Sequence, residues 1–446
     1  MIVSIEEQTA ARDATLVRVT TVYATEWMVD GEARTEPVTS SLPLGPLATH
    51  YESAGVALPQ VLGQAEHSPS TVRFGRFVPD LQPLRVGTAL FVLPSGRLAA
   101  TLTVEVACTP DQLVLLLEDA ARSHVDISGG ELGRVLGARA GVSRPESQVL
   151  GPEHHQLVSI PDRGLGPLPE GLIRQLLYRT DRPQRPEYAN VHRPVELNRD
   201  PRASTALSPY VTLSQGHPPE IENAMLVSAV LIVGATARLR EIRGYTQESL
   251  RTFREAEEEL RTTRAGRKLL EDLAARLGDL EGELGYGVEA AADIGSLVPS
   301  RRVEGYHRML YRALDVASRA LVVGRMLDRL EHAVTAELTS IGSVEARRED
   351  IRRGRWSTVS WLLLAVLVPV TLVAAYLLAE GAAQEDLLDR KYWPVYAIGA
   401  ALIVASLVAE AVALVRSRRT ADRDSEGRLP SRRSSAAEGY QPRHRA

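Results

Sequence analysis

Apolar residues gather in two unbroken runs near the C-terminal end, with a patchwork of short segments before them. The first run, Trp356 to Ala379, contains no charge, and the second, Tyr392 to Val415, contains one, Glu410. Each is long enough to cross a hydrocarbon core as a helix, which takes roughly 20 apolar residues. A short acidic stretch, Glu380 to Lys391, joins them. The pattern predicts a C-terminal two-helix transmembrane hairpin over 351–415, behind a large soluble part. The polar, basic tail, 416–446, is expected to be disordered.

The soluble part changes character at Pro218-Pro219. Before it, ATLVRVTTVY (Ala14–Tyr23), TVRFGRFV (Thr71–Val78), TALFVL (Thr88–Leu93) and RLAATLTVEV (Arg97–Val106) have strand length and β-branched composition. Pro94-Ser95-Gly96 reads as a hairpin turn. Thr109-Pro110-Asp111-Gln112 reads as a capping box with proline at the first helical position. These signals predict an α+β cytoplasmic domain over 1–220. Its second half, from about Gly137, is Pro-rich, with QLVSI, GLIRQLLYR and YVTLS as the clear short elements.

Beyond Pro219 the period is helical, and 221–350 is expected to form a helical bundle or coiled-coil stalk. Ala224–Ala237 is apolar but too short for a span, so a buried helix is expected there. Leu270, Leu273, Leu277, Leu280 and Leu284 make an a/d seam that suits a bundle and an intermolecular coiled coil equally. Leu310, Leu314, Ala317, Leu321, Leu327, Leu330, Val334, Leu338 and Ile341 form a later stripe. No proline lies between Pro299 and Pro369, so a helix from Asp315 to Ala379 can run unbroken into the first span. At 1.5 Å per residue it would be roughly 100 Å long. A stripe of that length calls for neighbours, and homo-oligomerisation is expected.

Charge orients the hairpin. Arg347, Arg348, Arg352, Arg353 and Arg355 precede the first span, and Arg416, Arg418 and Arg419 follow the second. Basic flanks stay inside, which predicts a multi-pass protein of the cell (inner/plasma) membrane with both termini cytoplasmic. The start, MIVSIEEQ, does not read as a cleavable signal. The single cysteine, Cys108, fits a reducing compartment. A net charge of −4 gives no case for nucleic acid as a partner. The lipid bilayer is the expected partner, with a protein partner possible at the cytoplasmic domain.

Candidate chemistry is sparse, and no catalytic, cofactor or metal site is expected. There is no GxxxxGK[ST] and no GxGxxG after a strand. His154-His155 is the most metal-like pair, without supporting carboxylate or cysteine spacing. Ser123-His124-Val125-Asp126 holds triad residue types in mere succession. Cys108 precedes a helix start that could lower its pKa, although burial is the plainer expectation. Glu410 lies within two turns of Arg416 and can snorkel to the interface.

The order of parts resembles that of CorA-type magnesium channels. Val368-Pro369-Val370-Thr371-Leu372-Val373-Ala374 is similar to that family's LPLTxIAG stretch, and Tyr392-Trp393-Pro394-Val395-Tyr396 resembles the W-x-x-G-Y opening its second span. The resemblance implies a cytoplasmic domain, a stalk helix and a ring of subunits. It does not extend to the Gly-Met-Asn signature, whose place is taken by Leu378-Ala379-Glu380. Glu380, Glu385 and Asp386 could instead attract cations as a ring. DIGSLVPSRRVEGYHRMLYRAL resembles uncharacterised two-span proteins encoded beside caspase and repeat proteins in bacterial conflict systems. The leading expectation is a non-enzymatic membrane-anchored sensor or effector. A divergent CorA-like cation channel comes second, and an enzyme with an unrecognised N-terminal site third.

Overall fold

The computed structural model describes residues 15–29, 34–53, 57–75, 77–142, 149–161, 168–180, 190–255, 264–289, 291 and 300–379, with isolated helical positions between 393 and 408. The chain divides into two compact units, Met1–Leu338 and Thr339–Ala446.

The first unit has an α+β layout built on a large sheet. Its strands are β1 (Thr15–Met28), β2 (Glu36–Pro37), β3 (Gln60–His67), β5 (Arg85–Val92), β6 (Arg97–Cys108), β9 (Leu150–Ile160), β10 (Ser204–Leu207) and β11 (Val211–Gln215). They lie in the order β10-β11-β9-β1-β6-β5-β3-β2. Neighbours run antiparallel, except that β11 is parallel to β9. A small sheet of β4 (Val72–Phe74), β7 (Val125–Ile127) and β8 (Gly130–Glu131) packs beside it. The expected strand Thr71–Val78 is thus shorter and sits in the small sheet. There Gly75 N–H donates to the His124 carbonyl at 2.8 Å. At the β5–β6 hairpin Leu93 N–H donates to Arg97 O at 2.7 Å, and Gly96 holds φ +77, which a side chain would strain.

Both sheet faces are covered, so the central strands are apolar or Thr-rich throughout rather than alternating. The helices are α1 (Val38–Ser41), α2 (Pro46–Ser53), α3 (Pro110–Ala121), α4 (Leu132–Arg139), α5 (Glu170–Tyr178), α6 (Pro219–Glu255), α7 (Arg264–Glu283), α8 (Arg301–Ala313) and α9 (Val316–Ala379). On one face Val19, Tyr23, Leu102, Val104 and Val158 meet Leu116, Leu117, Leu176 and Leu177 of α3 and α5 in a single core. The Tyr23 hydroxyl donates to Ala120 O at 2.5 Å. The capping box forms as its residues require: Gln112 N–H donates to Thr109 Oγ1 at 3.3 Å, and Thr109 N–H donates to Gln112 Oε1 at 3.0 Å.

Helix α6 covers the other face, against β1, β6 and β9. Among the described residues it is the helix long and apolar enough to pass for a membrane span, yet 78% of its most apolar stretch is buried inside the protein. Ala224, Met225, Val230, Ile232 and Val233 are all sealed from solvent. Arg18 of β1 pairs with Glu222 in its first turn. A Cβ on Gly234 would lie 2.3 Å from Leu93 Cδ1, so glycine lets the helix touch the β5–β6 hairpin.

Helix α8 buries Val303, Tyr306 and Leu310 and stops at Leu314. Asp315 takes φ +53 and breaks the rod before α9 begins. This turn shifts the helical face. Val316, Val323, Leu327, Leu330 and Val334 point inward, whereas Leu321, expected in the inward stripe, is 56% exposed. Helix α9 then continues for 64 residues to Ala379, close to the expected bounds. In the second unit, Trp361, Leu364, Leu367, Val370 and Leu372 along it are exposed. The expected second span, the acidic stretch 380–391 and the tail lie outside the described residues, apart from isolated positions.

Gly234→Val should overpack the α6–hairpin contact and lower stability by about 1–3 kcal/mol. Thermal unfolding should show a reduced Tm, partly recovered when Leu93→Ala is added. An unchanged Tm would refute the close contact.

Candidate functional site

After its buried turns, α6 becomes charged, and these charges tie the unit together. Glu241 accepts from Arg97 of β6 at 2.9 Å and from Arg238 one turn earlier at 2.5 Å. Arg238 also pairs with Glu283 at the end of α7. Arg240 reaches Glu153 of β9 at 2.8 Å. Burial pulls the Arg238 pKa down, opposed by Glu241. Burial likewise raises Glu153, opposed by Arg240. Removing either partner would strand a half-buried charge, the costly way to break such a pair.

Beyond this network α6 and α7 stand apart and leave a groove. Its polar half, about 740 Å³, is lined by Glu26, Arg97, Glu241, Tyr245, Glu248, Arg276 and Asp279. Its apolar half, about 340 Å³, is lined by Phe253, Leu269, Leu270 and Leu273, and shares Tyr245, Glu248 and Arg276 with the first. Arg276 donates to the Tyr245 hydroxyl at 2.6 Å and stands 5.9 Å from the ring centroid. The leucine seam thus faces α6: Leu270 and Leu277 are buried, while Leu269 is 44% exposed beside the groove.

The adjacent histidines part company in β9. His154 lies on the α3–α5 side, where Arg179 donates to its Nε2 at 3.0 Å. Burial first, and Arg179 second, lower its pKa. Arg179 in turn sits 5.1 Å from the Tyr210 ring centroid. His155 points to the opposite face and is fully enclosed. Its Nδ1–H donates to Pro209 O at 3.3 Å, and its Nε2 accepts from the Thr212 hydroxyl at 2.8 Å. The Thr212 oxygen accepts from the Tyr306 hydroxyl at 3.1 Å. Burial favours the neutral ring, and Pro209 O, which can only accept, then places the proton on Nδ1. Burial drives the His155 pKa down to about 3. This chain bolts α8 to the sheet.

The other candidates do not assemble into a reactive group. His124 Nδ1 faces Asp119 at 3.8 Å rather than Asp126, which is exposed on β7. Asp119 is sealed and accepts from the Phe77 and Val78 backbone. Burial pushes the Cys108 thiol up to about 12, so it is no nucleophile near neutral pH. Among the described residues no three His, Cys, Asp or Glu side chains are grouped to hold a metal. Glu380, Glu385, Asp386 and Glu410 lie outside the described residues. The ion network and the His155 chain were not legible beforehand, because their members come from distant segments with no spacing signal. No family model, curated protein or solved structure matches the chain.

Because the folded pKa of His155 is depressed, its stabilisation is complete above the unfolded value near 6.5. It is lost as pH falls from 6.5 toward about 3. The slope from this residue should approach about 1.4 kcal/mol per pH unit. Denaturant titrations of the full chain between pH 7 and 5 should show that slope. His155→Gln, which can serve both neighbours without titrating, should reduce it; an identical slope in both chains would exclude His155 as its source.

Proposed function

We propose that this chain is a membrane-anchored, non-enzymatic sensor or effector. Its α+β unit receives a signal, its helices assemble with sister copies, and a two-helix C-terminal hairpin holds it in the bilayer. The observation that supports this most is helix α9. Its first turns are core elements of the first unit, through Val323, Leu327 and Leu330, and its last turns are uncharged from Trp356 onward. Exposed Trp361, Leu364, Leu367 and Leu372 would be costly in water and suit a lipid surface.

A divergent CorA-like channel is the second reading, and the same long helix supports it. Magnesium selectivity of that family's kind is not proposed, because Leu378-Ala379-Glu380 replaces the signature. A carboxylate at Glu380 would attract divalent ions by charge while discriminating poorly among them. Purified protein in liposomes should therefore show no selective magnesium entry. Selective entry would put the channel reading first, whereas a non-selective leak abolished by Glu380→Gln would identify a membrane-perturbing effector.

Topology is testable with single cysteines, since the buried native thiol stays silent toward aqueous reagents. An impermeant maleimide on intact cells should label the Gln384→Cys variant and spare Ser431→Cys. The reverse pattern would invert the orientation.

A further inference from the structure

We propose that the groove between α6 and α7 receives the outward face of helix α9 from a second copy of this chain. The inference rests on the assembly reading above and gives that assembly a surface. The groove has the build of a helix receptor. Tyr245, Glu248, Ser249 and Thr252 recur on one face of α6, and Leu269, Leu273, Arg276 and Leu280 on one face of α7. Spacings of three and four residues place each set in a single row, the arrangement that accepts an amphipathic helix.

The groove is graded along its length. Phe253, Leu269, Leu270 and Leu273 dominate one end, beside Asp272; Glu248 lies where the halves meet, and Asp279 and Glu26, the latter paired with Arg240, line the other. Its arginines are already committed: Arg97 and Arg238 to Glu241, Arg276 to Tyr245. Helix α9 carries the complementary gradient. The turn at Asp315 rotates Leu321 and Val322 outward, to 56% and 47% exposure. Arg325 and Arg329 follow, one and two turns on, and are also exposed. Among the described residues neither arginine forms an ion pair. From Leu321 to Arg329 is about 12 Å of helix rise. From Leu273 to Asp279 is about 9 Å on the same basis, so apolar and charged ends match in order and scale. The chain's own α9 turns Val323, Leu327 and Leu330 into its own core. Its outward face is left for another copy.

The test uses the full-length chain in lipid nanodiscs or mild detergent. Two size-distinguished chains, one with Leu273→Cys and one with Val322→Cys, are mixed and oxidised. The proposal expects a mixed disulfide between them. It also expects Glu248→Arg with Asp279→Arg to weaken association at least tenfold by native mass and light scattering. Arg325→Glu with Arg329→Glu should do the same, and mixing the two reversed chains should restore assembly. An assembled wild type with no mixed disulfide and indifferent reversals would overturn the groove while leaving assembly through another surface. A monomeric wild type would overturn the assembly reading and the groove together. Loss of self-association that mixing fails to restore, with a different helical protein bound at Leu273→Cys, would assign the groove to another partner and overturn the proposal.

Discussion

Everything in the first unit depends on the sheet being buried on both faces. A sheet of this width with one wet face would tolerate polar residues at every second position. Here β1 buries Val19 and Tyr23 toward α3 and α5, and Val22 and Ala24 on the alternate side toward α6. Helix α6 is therefore a structural necessity, and its apolar sequence answers to the sheet. That explains why a segment that satisfies a membrane criterion by composition is packed inside protein. It also explains the polar anchors at the rims of this layer: Arg18 with Glu222 near the start of α6, and the Arg97–Glu241–Arg238 network near its exit.

Burial of this kind brings polar groups inside, and the structure satisfies them locally. His155, Thr212 and Tyr306 form one directed chain, which holds α8 and hence the entry to α9. Each of these groups would be costly to bury alone. Once chained, they specify where α8 sits. The break at Asp315 then sets which side of α9 faces the core and which faces away. A single left-handed residue thereby decides the chemistry that the outer surface offers.

Much of the fold was legible in residue order, and the reasons are local. The central strands declare themselves through runs such as Leu16–Tyr23 and Leu98–Val106. The Thr109–Gln112 capping box and the Pro94–Gly96 turn carry their geometry in a few adjacent residues. The long run of α9 toward the first apolar stretch follows from the lack of proline between Pro299 and Pro369 and from the apolar residues around and beyond Pro369. The less legible parts depend on distant contacts. β3 (Gln60–His67) is mixed in polarity because it lies near the sheet edge, so it gives no clear strand period. The inward stripe across Leu314–Leu321 assumed a straight helix, and Asp315 gave no warning of its turn. The ion network links residues as far apart as Arg97 and Glu241, and no sequence spacing announces such a pairing.

Helix α6 packs on the sheet, whereas the proposed bilayer anchor is the end of α9. Hydrogen exchange of the full-length chain in lipid nanodiscs, followed through a urea titration, separates the two most directly. The amides of Ala224–Ala237 should lose protection together with those of β1, β6 and β9, as one cooperative unit, while 356–379 stays protected by lipid. Continued protection of Ala224–Ala237 after the sheet has opened would place that helix in the membrane and contradict the account.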